Sequence, residues 1–207
     1  MKKKSSRFLY FLEYRWIFLI LFAIVSYVVF YYPIRKINAF RAEEKIVLFS
    51  AGGILKDEKF AEELRKEVPE ILSVETYCYR PDERVLGSLY DAYGPKSDFL
   101  ILSQQDMKDM EDVLEKYWIN YREIKGVETS SFSFYEKDGK AYGLKISEGA
   151  SSVWNQTNSF GDWISFQEGT YYLLCNKKSV NFEDLGKKNL SDHGISSLKF
   201  ILERYGK

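Results

Sequence analysis

Two apolar runs of strand length, Ile46-Val47-Leu48-Phe49 and Phe99-Leu100-Ile101-Leu102, constrain this chain more than any other feature. Neither alternates with polar residues, so each predicts a strand covered on both faces. Such strands need helices above and below them, which points to an α/β sheet with crossover connections. The first run ends in Ser50-Ala51-Gly52-Gly53. Its two glycines let the backbone turn sharply and lie close to whatever sits over the strand end. Asp57 then reads as an N-cap, and Phe60, Ala61, Leu64 and Val68 share one helical face.

The order continues as strand and helix in alternation. A strand is expected at Ser73–Tyr79. A helix opens at Pro81-Asp82, turns Val85, Leu86, Leu89 and Tyr93 inward, and closes at Gly94-Pro95. After the strand Asp98–Ser103, a third helix carries Met107, Met110, Leu114 and Tyr117 at helical spacing. The methionines read as core filling and the acidic residues between them as a wet face. The second half differs. Residues 132–146 alternate around Asp138-Gly139, a hairpin signal. A polar, aromatic-bearing loop spans Ser147–Gly169, followed by a strand at Thr170–Cys175. A last helix carries Ile195, Leu198, Leu202 and Tyr205, with Gly206 as its stop.

The N-terminus has its own character. Trp16 to Tyr32 holds no charged residue, and a spanning helix needs about 17 or more apolar residues. Tyr10, Tyr14 and Trp16 at one end and Tyr27, Tyr31 and Tyr32 at the other suit membrane interfaces, and Pro33 ends the helix. The alternative is a cleaved signal peptide. The length of the run and the lack of an Ala-x-Ala site after it favour an uncleaved anchor. The basic flank Lys2, Lys3, Lys4, Arg7 and Arg15 favours a cytoplasmic tail. The expected organisation is therefore a cytoplasmic tail at 1–15, a transmembrane signal anchor at 16–33 and a linker at 34–44. An extracytoplasmic α/β domain at 45–207 follows, with a mostly parallel sheet, helices on both faces and a β-hairpin.

Charge narrows the partners. The formal net charge of the whole chain is zero, with 30 basic and 30 acidic residues. Residues 45–207 carry 22 Lys/Arg against 27 Asp/Glu, and this acidic body argues against nucleic acid.

In a parallel sheet, ligands sit over the carboxyl ends of the strands. That rule places a candidate site at Ser50, Gly52, Gly53, Ser103 and Gln104, with Tyr142 or Trp154 closing over it. Hydroxyl and amide groups would hold a small polar solute and an aromatic ring would cover its apolar face. The plainer alternative is that Ser50 only serves backbone groups and Trp154 only plugs a gap. Little points to catalysis. His193, the sole histidine, sits near a helix start and reads as a surface residue beside a cap. There is no Walker A lysine, Gly-x-Ser-x-Gly elbow or His-Glu-x-x-His. The expectation is a protein that is not an enzyme, with no cofactor and no metal. Cys78 and Cys175 lack zinc-ligand spacing and stand either as two buried thiols or as a disulfide.

Three segments carry a family resemblance: Asp98-Phe-Leu-Ile-Leu-Ser-Gln-Gln-Asp-Met107, Tyr135-Glu-Lys-Asp-Gly-Lys-Ala-Tyr-Gly143 and Thr170-Tyr-Tyr-Leu-Leu-Cys-Asn-Lys-Lys-Ser179. In this order they resemble the third strand, the Asp-Gly-Lys hairpin and the strand toward the second lobe of bacterial extracellular solute-binding proteins. Those are the type II periplasmic-binding-protein-like partners of ABC transporters. The resemblance implies a domain that presents a sugar or other small polar solute to an ABC transporter permease. Only 28 residues follow Ser179, so it also implies a shortened or single-lobe form. The alternative is a membrane-tethered interaction or assembly domain that has lost its ligand.

Overall fold

The computed structural model describes residues 16–31, 40–80, 86–148, 160–166, 168–182, 185 and 191–206. The chain divides into two compact units, Met1–Phe40 and Arg41–Lys207.

In the first unit, residues 16–26 are α-helical and Tyr27–Tyr31 continue as a π-helical turn. Seven consecutive residues, Trp16 to Phe22, are each 49–73% exposed. Two turns of helix point in every direction, so apolar surface faces outward all round. No helix among the described residues is long and apolar enough to cross a membrane. The predicted tail, the end of the predicted anchor and most of the linker lie outside the described residues.

The second unit is built on a six-stranded sheet. Its strands are β1 (Lys45–Ala51), β3 (Ser73–Tyr79), β4 (Phe99–Ser103), β5 (Phe134–Lys137), β6 (Lys140–Ser147) and β8 (Tyr171–Cys175). They lie in the order β3-β1-β4-β8-β6-β5. The two short strands β2 (Gly53–Leu55) and β7 (Ile164–Phe166) pair antiparallel beside it.

Side-chain alternation divides β1, β4 and β8 between two cores. Ile46, Leu48, Phe99, Ile101, Leu173 and Cys175 face one side. There they meet Phe60 and Leu64 of α1 (Phe60–Glu67), Trp163 of α5 (Phe160–Trp163), and Leu198, Ile201 and Leu202 of α6 (His193–Tyr205). Phe49, Leu100, Leu102 and Leu174 face the other side. Their partners are Tyr90 and Tyr93 of α2 (Leu86–Tyr93), Met107 of α3 (Gln104–Asp109) and Leu114 of α4 (Leu114–Tyr117). The α/β class, the helices on both faces and the hairpin are as expected.

The sheet is mixed rather than mostly parallel. β3-β1-β4 are parallel, but β4-β8, β8-β6 and β6-β5 are antiparallel. A two-residue turn can only join antiparallel strands. Asp138 and Gly139 both take positive φ, 51° and 75°, as such a tight hairpin requires.

Four local expectations also change. α1 starts at Phe60, not Asp57, because the chain after Gly53 first runs through β2. The third helix is broken: α3 ends at Asp109, and a 3-10 turn at Glu111–Val113 precedes α4. The loop after Ser147 contains α5 and β7. Gly206 ends α6 at a negative φ of −95°; what needs glycine there is space, since a Cβ would lie 2.6 Å from the Phe132 ring. The opening of α2 at Pro81 falls outside the described residues.

Candidate functional site

The carboxyl ends of β1 and β4 meet at Tyr171. In register Ser103 of β4 pairs with Tyr171 of β8, and the Tyr171 ring lies where a Cβ of Gly52 would be, 2.2 Å from its Cε1. Gly53 lies as closely against Ile164, at 2.4 Å, with Phe166 at 3.2 Å. The Gly52-Gly53 turn therefore brings the backbone close to the protein's own aromatic and aliphatic side chains. Ser50 is fully buried on the α1/α6 side, and its hydroxyl finds no hydrogen-bond partner among the described residues. Ser103 is the N-cap of α3: its Oγ accepts from Asp106 N–H at 3.1 Å and donates to Asp106 Oδ2 at 2.6 Å. Gln104 has an exposed side chain, and its N–H donates to Thr170 O at 2.8 Å.

Tyr142 is placed elsewhere. It is the third residue of β6, five residues before Ser147, which pairs with Tyr171. At ~3.3 Å per residue that is roughly 16 Å from the strand ends. A bulge opposite Tyr135/Glu136 also puts it in the α3/α4 core while Leu144 joins the other. Tyr142 is 4% exposed and closes on no strand-end site. Trp154 lies outside the described residues. Of the predicted site, the structure brings Gly52 and Ser103 together around Tyr171, with Gln104 beside them.

The opposite end of the parallel strands carries two features that sequence reasoning passed over. The first is a buried polar network. Asp98 Oδ2 accepts from Val47 N–H at 2.7 Å, and Oδ1 accepts from Ser179 Oγ at 2.5 Å and Asn181 Nδ2 at 2.9 Å. Asn181 Nδ2 also donates to Lys45 O at 2.9 Å, and its Oδ1 accepts from Ser191 Oγ at 2.8 Å. Burial pushes the Asp98 carboxyl up to about 6 against the pull of these donors. The network joins β1, β4 and the chain leading into α6. Its one sequence signal was a charged residue immediately before an apolar strand.

The second feature is a pocket of about 260 Å³ walled by Tyr90, Met110, Tyr117 and Trp118. Pro95, Asn176 and Lys178 complete it. Its wall is held by backbone pairing: Ile119 N–H donates to Cys175 O at 3.0 Å and Lys177 N–H to Tyr117 O at 2.8 Å. Asn176 Nδ2 donates to Ser97 O at 2.7 Å, and its Oδ1 accepts from Lys178 N–H at 2.9 Å. The Lys178 ammonium then lies 4.3 Å from the Tyr117 ring centroid. Helical spacing had marked Met110 and Tyr117 as inward. Lys178 could not be placed, because its position depends on the partner of β8.

The remaining candidates have structural roles. His193 Nδ1 is 2.7 Å from Glu43 O at the start of α6. Cys78 on β3 and Cys175 on β8 are separated by β1 and β4, about 14 Å at ordinary strand spacing, far beyond disulfide reach. They are two thiols, and burial pushes them up to about 11 and about 12. Among the described residues no group of three or more His, Cys, Asp or Glu is arranged to hold a metal ion.

No protein-family model matches this chain, and no curated protein matches it. Among solved structures the chain is similar to the ABC substrate-binding protein Lmo0181 from Listeria monocytogenes in complex with cycloalternan. The identity is 16% and the TM-score 0.37, over 50% of this chain and 29% of that one. The matched part is thus less than a third of that protein's length.

Proposed function

We propose that this chain is a membrane-tethered, extracytoplasmic solute-binding-like domain that presents a small polar solute to an ABC transporter permease, without catalysing a reaction. One observation carries the body of this reading. The segments 98–107, 135–143 and 170–179, which carry the family resemblance, fold as the neighbouring strands β4, β8, β6 and β5 of one sheet. The tether is supported by the N-terminal helix, whose apolar side chains are exposed in every direction and suit a hydrocarbon surrounding better than water. The basic residues before it favour a cytoplasmic tail.

A second reading, an interaction domain without a solute, is favoured by the contacts at the strand ends. Tyr171, Ile164 and Phe166 cover Gly52 and Gly53, leaving Gln104 and the partly exposed Ser103 as the residues of the predicted site, among those described, that reach the surface. The two readings part in a melting experiment on the full chain in nanodiscs with a panel of sugars, peptides and anions. A solute that binds only the folded state raises the melting temperature. A saturable rise that Gln104→Ala weakens supports presentation of a solute. No rise with any member of the panel replaces it with the interaction domain. Orientation is tested separately: external protease on intact cells should digest the 41–207 unit, and full protection until lysis would reverse it.

A further inference from the structure

The pocket behind Lys178 lies at the amino end of β4, away from the strand ends that the solute reading uses, so it is an independent site. Three of its walls are aromatic rings, from Tyr90, Tyr117 and Trp118, and Met110 adds a polarizable apolar surface. The hydrogen-bonding capacity of Asn176 is consumed within the protein by Pro95 O, Ser97 O and Lys178 N–H. A guest inside the pocket is therefore met by rings. The volume, about 260 Å³, lies just under the ~300–1,000 Å³ of ordinary small-molecule sites. That suits a guest of one or two rings.

The Tyr117 wall carries two ammonium groups, while the carboxylates of Asp91 and Asp106 lie toward Tyr90. Lys178 and Lys116 hold their ammonium groups 4.3 and 5.0 Å from the Tyr117 centroid. No ion pair joins either lysine to a carboxylate among the described residues. This contrasts with Lys140 and Lys145, which are paired with Glu115 and Glu148. The site is also pre-formed. The 117–119 and 175–177 segments are locked together by the pairing already described, and the Asn176 side chain fixes the turn that carries Lys178. Little ordering cost remains for a ligand to meet.

We propose that this pocket binds a small aromatic carboxylate, with the ring between Tyr90, Tyr117 and Trp118 and the anionic group at Lys178. Ring stacking supplies the contact area, and the lysine discriminates the acid from its neutral analogues.

The test uses the full chain in lipid nanodiscs, since detergent would compete for an apolar pocket. The chain has four tryptophans, so labelling with 5-fluorotryptophan gives four fluorine resonances, and Trp118→Phe assigns the one in the pocket. Indole-3-acetate and phenylacetate are the probes, with indole-3-acetamide as the neutral control. The expected result is a saturable shift of the Trp118 resonance by the acids. The amide should bind about 2- to 5-fold more weakly, and Lys178→Gln should erase that difference. Lys178→Gln alters a rim residue, so an unchanged fluorine spectrum without ligand shows that the fold is intact. No saturable shift with either acid overturns the site. Equal binding of acid and amide overturns the role of Lys178. A shift produced only by peptides that place an acidic residue beside an aromatic one moves the site to a polypeptide partner and overturns the small-molecule assignment.

Discussion

Tyr205 Oη donates to Asp57 Oδ2 at 2.6 Å, joining the last turn of α6 to the turn before α1 across 148 residues of sequence. Arg204 reaches the same oxygen at 3.2 Å and Glu63 at 2.5 Å. The Tyr205 ring stacks on Trp163 at 5.5 Å. Burial alone would raise the Asp57 carboxyl, yet the bonds from Tyr205, Lys59 N–H and Arg204 hold it below its ordinary value. Tyr205→Phe keeps the stacking and deletes one donor to a carboxylate. It should lower unfolding stability by about 1–2 kcal/mol, measured as a shift in the urea midpoint at constant m. A loss under about 0.3 kcal/mol would mean that Arg204 suffices.

Asp98 sets a pH dependence with an unusual sign. Its folded value is about 6, raised from 3.8. The folded state therefore holds this proton more tightly than the unfolded chain. Its contribution is fully present below about pH 4 and is lost as pH rises through 6, on the order of 3 kcal/mol in total. Asp57, with its lowered value, acts the other way at lower pH. Subtracting the stability profile of Asp98→Asn from that of the native protein isolates the Asp98 part. A difference that is flat between pH 4 and 7 would show that the donors, not burial, dominate.

Gly52 is required by space. Tyr171 is 3% exposed and stacks on Phe166 at 4.9 Å, so its ring has no room to swing away from an added methyl group. Gly52→Ala should destabilise by about 1–3 kcal/mol as an overpacked site. Thermal melting of Gly52→Ala against the native chain decides it, and an unchanged midpoint would mean that Tyr171 yields freely.

Leu114 is 1% exposed on the side of the sheet covered by α3 and α4. Leu114→Ala should cost about 2–5 kcal/mol. A chemical-denaturation curve showing less than about 0.5 kcal/mol would mean that the short helix α4 collapses into the gap.

The two thiols give a fifth expectation. With Cys78 and Cys175 separated by two strands, a maleimide reagent should count two free thiols in the unfolded protein without reductant. Burial should make Cys175 slow to react in the folded protein, with the partly exposed Cys78 reacting faster. No free thiol after unfolding, with the bond shown to lie within one chain, would contradict the strand order.

Sequence by itself determined the parts whose signal is local. The unbroken apolar runs at Ile46–Phe49 and Phe99–Leu102 marked buried strands, because only a strand covered on both faces can omit polar alternation. Asp138-Gly139 marked a hairpin, because few residues tolerate two successive positive φ angles. The spacing of Met107, Met110, Leu114 and Tyr117 marked one packed face even though the helix carrying it is broken at Met110. Tertiary structure decided everything that depends on which strand lies beside which. The antiparallel insertion of β8 beside β4 made the sheet mixed, set Tyr171 over Gly52 and carried Lys178 to Tyr117. The direction of β6 and its bulge moved Tyr142 away from the predicted site. The partners of Asp98 at Ser179 and Asn181 stand 81 and 83 residues away. Periodicity reports how a segment meets its own neighbours and whether it is buried. It holds no information about register between distant segments, and that register built the buried network and the aromatic pocket.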